Sequence, residues 1–424
     1  MGPFWTRITI ISYTNTDETP ADIANICDEC SKHDPDVLQI TCKARTAEEA
    51  WPLLRLQMRP PAPMVVVGLG WAGIMPALLG RKYGAPWITA AIERGGESYP
   101  GQPTVRELLD VYRYQEIDEN TSWIGVTGLG PWERLSVALL NATFAAQGSS
   151  KRGLPVPVGD VDRFRRFAKR IKLRGVVIGQ ENVEALRPMA HELDENVRFV
   201  SWSPEGDEIE SPVDVLVPLD DGRWQGACAF PKAALAALRT TLAQRSKSLQ
   251  NAVVVFMGLS PSTVALARGI KKRGGVVIFA DRDTDAAHRY SRWFGGRHIR
   301  PEAVHSILHD VFILGAPPSV DPDGDLDAPA LHPGFLKPEM TVMDLTALPR
   351  PSHFLTEALT RGCTIVEPKR VLFEYVRRLS FRLRGEEASY VALKEAMQNL
   401  FADVLISDSD IHPPIVREAI ETEA

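Results

Sequence analysis

Residues 252–280 read AVVVFMGLSPSTVALARGIKKRGGVVIFA. Residues 252–257 are an apolar run ending at a glycine, the composition of a buried parallel strand. Residues 262–272 carry aliphatic side chains at helical spacing, and 276–280 are a second apolar run. Strand, helix, strand in this order is the opening unit of a doubly wound nucleotide-binding domain. In such a domain a glycine-rich turn after the first strand lets the backbone approach a pyrophosphate at the helix N-terminus. Here the turn is Gly258-Leu259-Ser260-Pro261-Ser262, with one glycine where such turns carry three. The side chains of Leu259 and Ser260 narrow the phosphate approach, while Ser262 and Thr263 still offer hydroxyls. Pro261 suits a first helical turn but supplies no N–H. Gly258, Ser260 and Ser262 are therefore the candidate cofactor-binding residues of the turn. Arg282, in Ala280-Asp281-Arg282-Asp283 after the second strand, is the fourth.

Further apolar strands are predicted at 311–314, 341–345 and 364–366. Residues 317–338 are rich in Asp, Pro and Gly and read as a surface loop. A helical pattern over 390–405 is expected to pack back on the segment that precedes the nucleotide-binding part, and the polar tail after Ile406 to fray. In the other direction, a second part opens near Ser122. It has a strand over 123–126, helices over 136–147 and 163–171, a strand over 176–178 and a polar loop over 203–212. The first part alternates strands at 7–13, 36–42, 64–69 and 87–92, all read as buried, with helices such as 21–32 and 46–58. Four strand–helix units in succession imply parallel strands with right-handed crossovers. A closed barrel of this kind needs eight. Four leave two open edges, which predicts that another copy of the chain, making a homo-oligomer, or the following segment covers them. The expected fold class is α/β. The expected domains are a half (β/α) barrel over 1–118, a substrate domain over 119–245 joined by the helix 385–406, a Rossmann-type nucleotide-binding domain over 246–384 and a flexible tail over 407–424.

Composition narrows the functions. The chain has 424 residues, enough for two to three domains. A formal net charge of −6 gives no global basic field for nucleic acid or an anionic membrane. No apolar run is long enough to span a bilayer, and residues 1–11 lack the pattern of a secretion signal. Five cysteines scattered over this length argue against a disulfide scaffold and for a reducing cytoplasm. Cys27 and Cys30 form a lone CxxC with only His33 nearby, which reads as one turn of a surface helix rather than a metal site.

The first part resembles type I 3-dehydroquinate dehydratases. Ile11-Ser12-Tyr13-Thr14 with Thr19-Pro20 is similar to that family's fifth-strand signature, and Ser98-Tyr99-Pro100-Gly101-Gln102 to its substrate lid. The resemblance covers about residues 7–115, the second half of that barrel. It implies a Schiff-base lysine and a proton-shuttling histidine. The histidine position holds Thr14, the lysine position Gln39, and the carboxylate-binding arginine position Ala77. Ser98 and Gln102 persist as substrate-binding candidates. Lys43 lies four residues beyond Gln39, on the same face of the strand but about 13 Å away. It reads as a solvated charge at the strand end.

From Ile124 to about Leu405 the order of elements resembles shikimate dehydrogenase, so the whole chain resembles a fused dehydratase–dehydrogenase. Gly125-Val126-Thr127-Gly128 is similar to that family's opening strand and turn. In the family's carboxylate- and substrate-binding segment, Ser136 and Asn141 keep their residue types, whereas Arg134, Val137 and Leu140 replace a serine, a proline and a histidine. Arg134 offers a different grip on a carboxylate, because a guanidinium binds one bidentately. The catalytic lysine position holds Glu181 or, with a gap, Gln180. The partner aspartate position is Phe230, with Cys228 at the family's asparagine. The resemblance implies NADP, with Arg282 at the 2′-phosphate between Asp281 and Asp283. The family's later tyrosine is Ala347 and its substrate glutamine is Tyr375. Pro349, Leu355, Ala358 and Gly362, which serve packing and turns, keep the family's spacing.

Two functions follow. The favoured one is a non-catalytic or strongly diverged member that keeps the fold and binds a small carboxylate, with Thr14, Gln39, Glu181 and Phe230 at the positions of the lost chemistry. The alternative is an active NADP-dependent oxidoreductase on shikimate or a related hydroxy acid, using relocated groups.

Overall fold

A computed structural model describes residues 8–194, 212–315, 332–346 and 348–402. Arg7, most of the 203–212 loop, residues 317–331, Ala347 and the tail with residues 403–405 lie outside the described residues. The chain divides into two compact units. Unit 1 comprises Met1–His191, Leu216–Trp224 and Leu383–Ala424, and unit 2 comprises Glu192–Val215 and Gln225–Arg382.

Unit 1 begins with β1 (Ile10–Asn15), α1 (Ile23–Ser31), β2 (Val37–Lys43), α2 (Ala47–Met58), β3 (Met64–Leu69) and α3 (Ile74–Lys82). The strands form a parallel sheet in the order β1-β2-β3. Strand alternation is clear in β2. Leu38, Ile40 and Cys42 are fully buried, and Val37, Gln39, Thr41 and Lys43 stand on the other face. Thr46 caps α2 by accepting the Glu49 N–H, which fixes where that helix starts. Cys27 of α1 is buried, and burial pushes its thiol up to about 11.

Two sequence expectations fail here. Residues 87–92 are not a fourth strand. Among the described residues their only bridge pairs Ala91 with Thr104, through Ala91 N–H to the Pro103 carbonyl and Val105 N–H to the Ala91 carbonyl. The Trp87 ring packs onto the Val37–Val65–Val67 face instead of extending the sheet. Trp87 covers a face while Ile92 is exposed, a use of apolar residues that strand periodicity alone does not distinguish. Nor is β1 buried: its residues alternate between exposed and half-buried, with Ile10 at 49% exposure. The described β1 pairs on one side only, with β2.

The chain continues through β4 (Ser122–Thr127), α4 (Pro131–Ala146), β5 (Lys151–Val156), α5 (Val161–Arg170), β6 (Val176–Val177) and the short α6 (Val183–Leu186). It then forms β7 (Glu192–Leu193), β8 (Val215–Pro218) and β9 (Trp224–Ala227). In unit 1 the strand order is β5-β4-β6-β8, with β4 parallel to both neighbours. In unit 2, β7 pairs in parallel with β9. The first part and this sheet share unit 1. Trp51 of α2 meets Phe167 of α5 edge-on at 6.0 Å, with Arg170 over the indole. The Ala47 N–H donates to the Pro157 carbonyl. The sequence reading missed β5, whose polar start and Pro155 hide a strand that is buried from Arg152 onward.

Unit 2 then runs α7 (Phe230–Ala243), β10 (Val253–Met257), α8 (Pro261–Lys271), β11 (Val276–Ala280), α9 (Thr284–Phe294), β12 (Arg297–Ile299), β13 (Val311–Leu314), β14 (Thr341–Asp344), α10 (His353–Thr360) and β15 (Thr364–Ile365). Its sheet is parallel throughout, in the order β12-β11-β10-β13-β14-β15. Numbered within the unit this is 3-2-1-4-5-6, the doubly wound order with its switch point between β10 and β13. Val255, Phe312 and Val342 are buried in its core together with Leu355 and Ala358, two of the spacing-matched positions. The chain ends its described course with α11 (Pro368–Arg384) and α12 (Tyr390–Ala402). The latter packs on α4 in unit 1.

Candidate functional site

Unit 1 contains a cleft of about 1120 Å³ at the C-terminal ends of β2 and β3. Lys43, Leu69 and Trp71 line it from the sheet side, the 98–103 turn from above, and Gly128, Leu129, Glu133 and Arg134 from the loop and first turn of α4. The lid-like turn is fixed by its own backbone. The Ser98 N–H donates to Gln102 Oε1 at 2.7 Å, and the Gly70 N–H donates to the Pro100 carbonyl. Gly101 has φ +83°, and a Cβ there would lie 2.3 Å from the Gly70 carbonyl oxygen, so only glycine fits. Ser98 and Gln102 thus line the cleft, with the Gln102 amide already closing the turn.

Arg134 sits in the first turn of α4, where Pro131 starts the helix after Gly130. Its Nε donates to the Leu129 carbonyl at 3.1 Å, and its guanidinium lies 5.5 Å from the Trp71 ring centroid. Among the described residues it makes no ion pair. Burial lowers its pKa, and nearby Arg94 pushes the same way against Tyr112 and Glu107. Arg94, by contrast, is paired with Glu107 at 2.6 Å.

Glu133 is the group that the sequence reading missed. It is 8% exposed and faces three glycines: a Cβ at Gly130 would lie 2.5 Å from its Oε2 and one at Gly179 2.9 Å from its Oε1, while Gly128 adjoins its Cγ. The Gln180 N–H donates to Oε1 at 3.3 Å. Burial holds this carboxyl above the usual carboxylate range; the Glu181 charge adds to the effect, and two backbone N–H groups oppose it. A glutamate in the first helical turn after Gly128-Leu129-Gly130 was the available signal. Glu181 itself is exposed on the turn Gln180–Asn182.

Ser136 and Asn141 do not open on the cleft. Both are fully buried. The Ser136 hydroxyl donates to the Trp132 carbonyl, and the Asn141 side chain bridges the Val111 carbonyl and the Gly153 N–H. The structure reassigns both to packing of α4, because each polar group is already satisfied internally. Thr14 and Gln39 occupy the same sheet face two residues out of register, since Gln39 pairs with Ser12 and Thr14 with Thr41. Neither lines the cleft described above.

In unit 2, Phe230 begins α7 and meets the Tyr375 ring edge-on at 6.1 Å. Asp214 ties down the start of α7: its carboxylate accepts the Ala229 and Phe230 N–H groups at 2.8 and 2.7 Å, with the Cys228 thiol at 3.5 Å. Burial pushes the Asp214 carboxyl up to about 6, against those donors. The nucleotide turn has Gly258 at φ +77°. Ser260 and Thr263 form a reciprocal capping box, and the Leu259 N–H donates to Asp281 Oδ2 at 2.9 Å. Ser262 and Arg282 are half-buried. The amides of Leu259, Ser260 and Thr263 are therefore bonded within the protein.

A parallel-stranded segment followed by a doubly wound α/β unit is an arrangement to set beside known proteins. The sequence model of type I 3-dehydroquinase matches residues 6–119. The bifunctional 3-dehydroquinate dehydratase/shikimate dehydrogenase of Arabidopsis thaliana, a chloroplastic protein, is 21% identical over 369 residues, 84% of this chain and 60% of that one. A 3-dehydroquinate dehydratase of Dehalococcoides mccartyi is 25% identical over 107 residues, covering 24% of this chain and 48% of that protein. Among solved structures, a shikimate dehydrogenase in complex with NADP+ superposes with a TM-score of 0.54 at 18% identity, over 67% of this chain and 97% of that one. A quinate dehydrogenase from Corynebacterium glutamicum with NAD gives 0.52 at 16%, over 66% and 99%. The chain is thus similar to type I 3-dehydroquinase over residues 6–119 and shares the fold of shikimate dehydrogenases over much of the rest, and it spans 60% of the length of its curated plant relative. Among the described residues no helix is long and apolar enough to cross a membrane.

Proposed function

We propose that this chain is a non-catalytic, fold-retaining relative of the shikimate-pathway enzymes of aromatic amino acid biosynthesis, and that it binds a small carboxylate in the cytoplasm. The Phe230–Tyr375 contact carries this reading. The two positions where the resemblance places the dehydrogenase's aspartate and glutamine hold an aromatic pair, and neither ring can replace a carboxylate as proton acceptor beside a reacting hydroxyl. Thr14 and Gln39 supply no amine for a Schiff base. The test is nicotinamide absorbance with shikimate and NADP, with NAD alongside and an intact shikimate dehydrogenase as control. No turnover is expected, either from the natural chain or from the Phe230→Asp, Glu181→Lys double variant, because the turn amides that would meet a pyrophosphate are engaged. Turnover by the natural chain overturns the reading.

Asp214 favours the second reading, an active NADP-dependent oxidoreductase. Its carboxyl is held near neutral range and bonded to the N–H of Phe230 itself, where a relocated base could act. Arg282 would hold the 2′-phosphate of NADP. We also carry forward a homo-oligomer that covers the β1 edge, where Ile8 and Ile10 are exposed. Light scattering is expected to show a dimer or larger assembly, which Ile10→Lys dissociates.

A further inference from the structure

We propose that the unit 1 cleft binds an aromatic carboxylate, with Arg134 gripping the carboxylate beside the Trp71 ring, so that dehydratase-like and dehydrogenase-like segments share one site. This rests on the binding reading above and names its ligand class. Three observations carry it. First, one continuous cavity is lined by Lys43, Leu69, Trp71 and the 98–103 turn from one segment and by Leu129 and Arg134 from the other. Its volume of about 1120 Å³ exceeds what a single small ring acid fills and leaves room for a fused-ring body.

Second, the fixed cation is Arg134. Its Nε bond to Leu129 and the Trp71 ring beside it orient the guanidinium. Arg94 is neutralised by Glu107, whereas among the described residues neither Arg134 nor Lys43 makes an ion pair. A half-buried guanidinium with no ion-pair partner among the described residues is a ready site for an anion and binds a carboxylate bidentately.

Third, the groups that the resemblance assigns to a hydroxyl-rich ring are spent. Ser136 and Asn141 are buried and bonded inside α4 and its neighbours, and the Gln102 amide closes its own turn. Much of the lining is apolar or aromatic, with Leu69, Trp71, Tyr99 and Tyr112, beside polar groups that include Thr16 and Glu133. Such surfaces favour a planar apolar ring over one that needs several hydrogen bonds.

The experiment is titration calorimetry of the full chain with benzoate, naphthoate, benzamide and shikimate. Benzoate or naphthoate is expected to bind, benzamide not to bind, and shikimate to bind at least about tenfold more weakly than the better aromatic acid. Arg134→Gln is expected to reduce aromatic-acid affinity roughly tenfold to a hundredfold, Arg134→Lys less, and Trp71→Leu several-fold, each with an unchanged thermal melt. Equal or tighter shikimate binding overturns the proposal. So does benzamide binding as tightly as benzoate, or affinity that survives Arg134→Gln, or no heat from either aromatic acid with the folded protein. Should Arg134→Gln melt early, Trp71→Leu and the benzamide comparison still decide. These outcomes are separate from NADP turnover, which decides the non-catalytic reading by itself.

Discussion

The opening sheet of unit 1 and the doubly wound sheet of unit 2 are opposites in what they keep. Unit 2 has all six strands of the doubly wound order, yet the turn at its switch point bonds to itself and to Asp281. Unit 1 begins with three strands and an exposed β1, yet those strands end in an open cleft with a guanidinium poised in it. Completeness of a fold and availability of its site are therefore separate properties. A sheet is maintained by burial, spread over many residues. A phosphate turn or a carboxylate grip depends on a few donors, and one side chain can satisfy them internally. The variants below ask whether the donors of unit 2 are truly engaged and whether those of unit 1 are truly open.

The largest effect is expected at Asp214. Removing its carboxylate in Asp214→Ala strands the Ala229 and Phe230 N–H groups at the start of α7 and should cost roughly 3 kcal/mol in urea unfolding. Its pH dependence has a definite sign. The folded carboxyl titrates at about 6 against an ordinary 3.8, so the folded state holds a proton that the unfolded chain has released. The stability this supplies is full below about 3.8 and is lost as pH rises through about 6. Relative to Asp214→Asn, the natural chain should gain on the order of 3 kcal/mol between neutrality and pH ~4. The comparison with Asn is needed because acids held low, such as Asp118 and Asp221, move the whole protein in the opposite direction. A flat difference across this range would mean that Asp214 is ionised throughout and that the α7 terminus is an open anion site.

The next effect is expected at Gly315, just past β13. A Cβ there would meet Thr263 Cγ2 at 2.3 Å and the Gly258 carbonyl oxygen at 2.7 Å. Gly315→Ala should cost about 2 kcal/mol, seen as a lower melting temperature. A neutral result would mean that the switch point has slack to admit a pyrophosphate. Ser260→Ala removes the cap of α8 and should cost about 1 kcal/mol.

How much of this was legible follows the same division. The apolar runs at 276–280 and 311–314 are β11 and β13 residue for residue, because strands buried on both faces need nothing but apolar side chains. Residues 87–92 are also mostly apolar but form no strand: Trp87 packs on a sheet face, Ala91 bridges Thr104 and Ile92 is exposed. At the sites, Arg134 was legible as a charge at the position where the resemblance places a carboxylate-binding serine. Ser136 and Asn141 kept the family's residue types while their side chains turned inward to Trp132 and Gly153, which no one-dimensional spacing encodes. Asp214 and Glu133 were missed for a related reason. Each acts through backbone groups distant in sequence, Phe230 and Gln180, and only folding brings those donors to a carboxylate.

Glu133 gives the smallest and most discriminating prediction. It lines the same cleft as Arg134 and is the adjacent residue in the chain, and burial raises its pKa. Once ionised, it places a negative charge where an anionic ligand must enter, and like charges at such range cost a fraction of a kcal/mol to about 1 kcal/mol. Glu133→Gln keeps an oxygen to accept the Gln180 N–H and removes only the charge. It should therefore strengthen benzoate or naphthoate binding about two- to fivefold near neutral pH and change little in acid, where the natural side chain is protonated. Because the folded pKa is raised, the natural chain should approach the variant's affinity as pH falls through that raised value, while Arg134 stays charged. If Glu133→Gln weakens binding at every pH, the carboxylate itself contacts the ligand, and unit 1 holds a polar recognition site of the kind that unit 2 has closed.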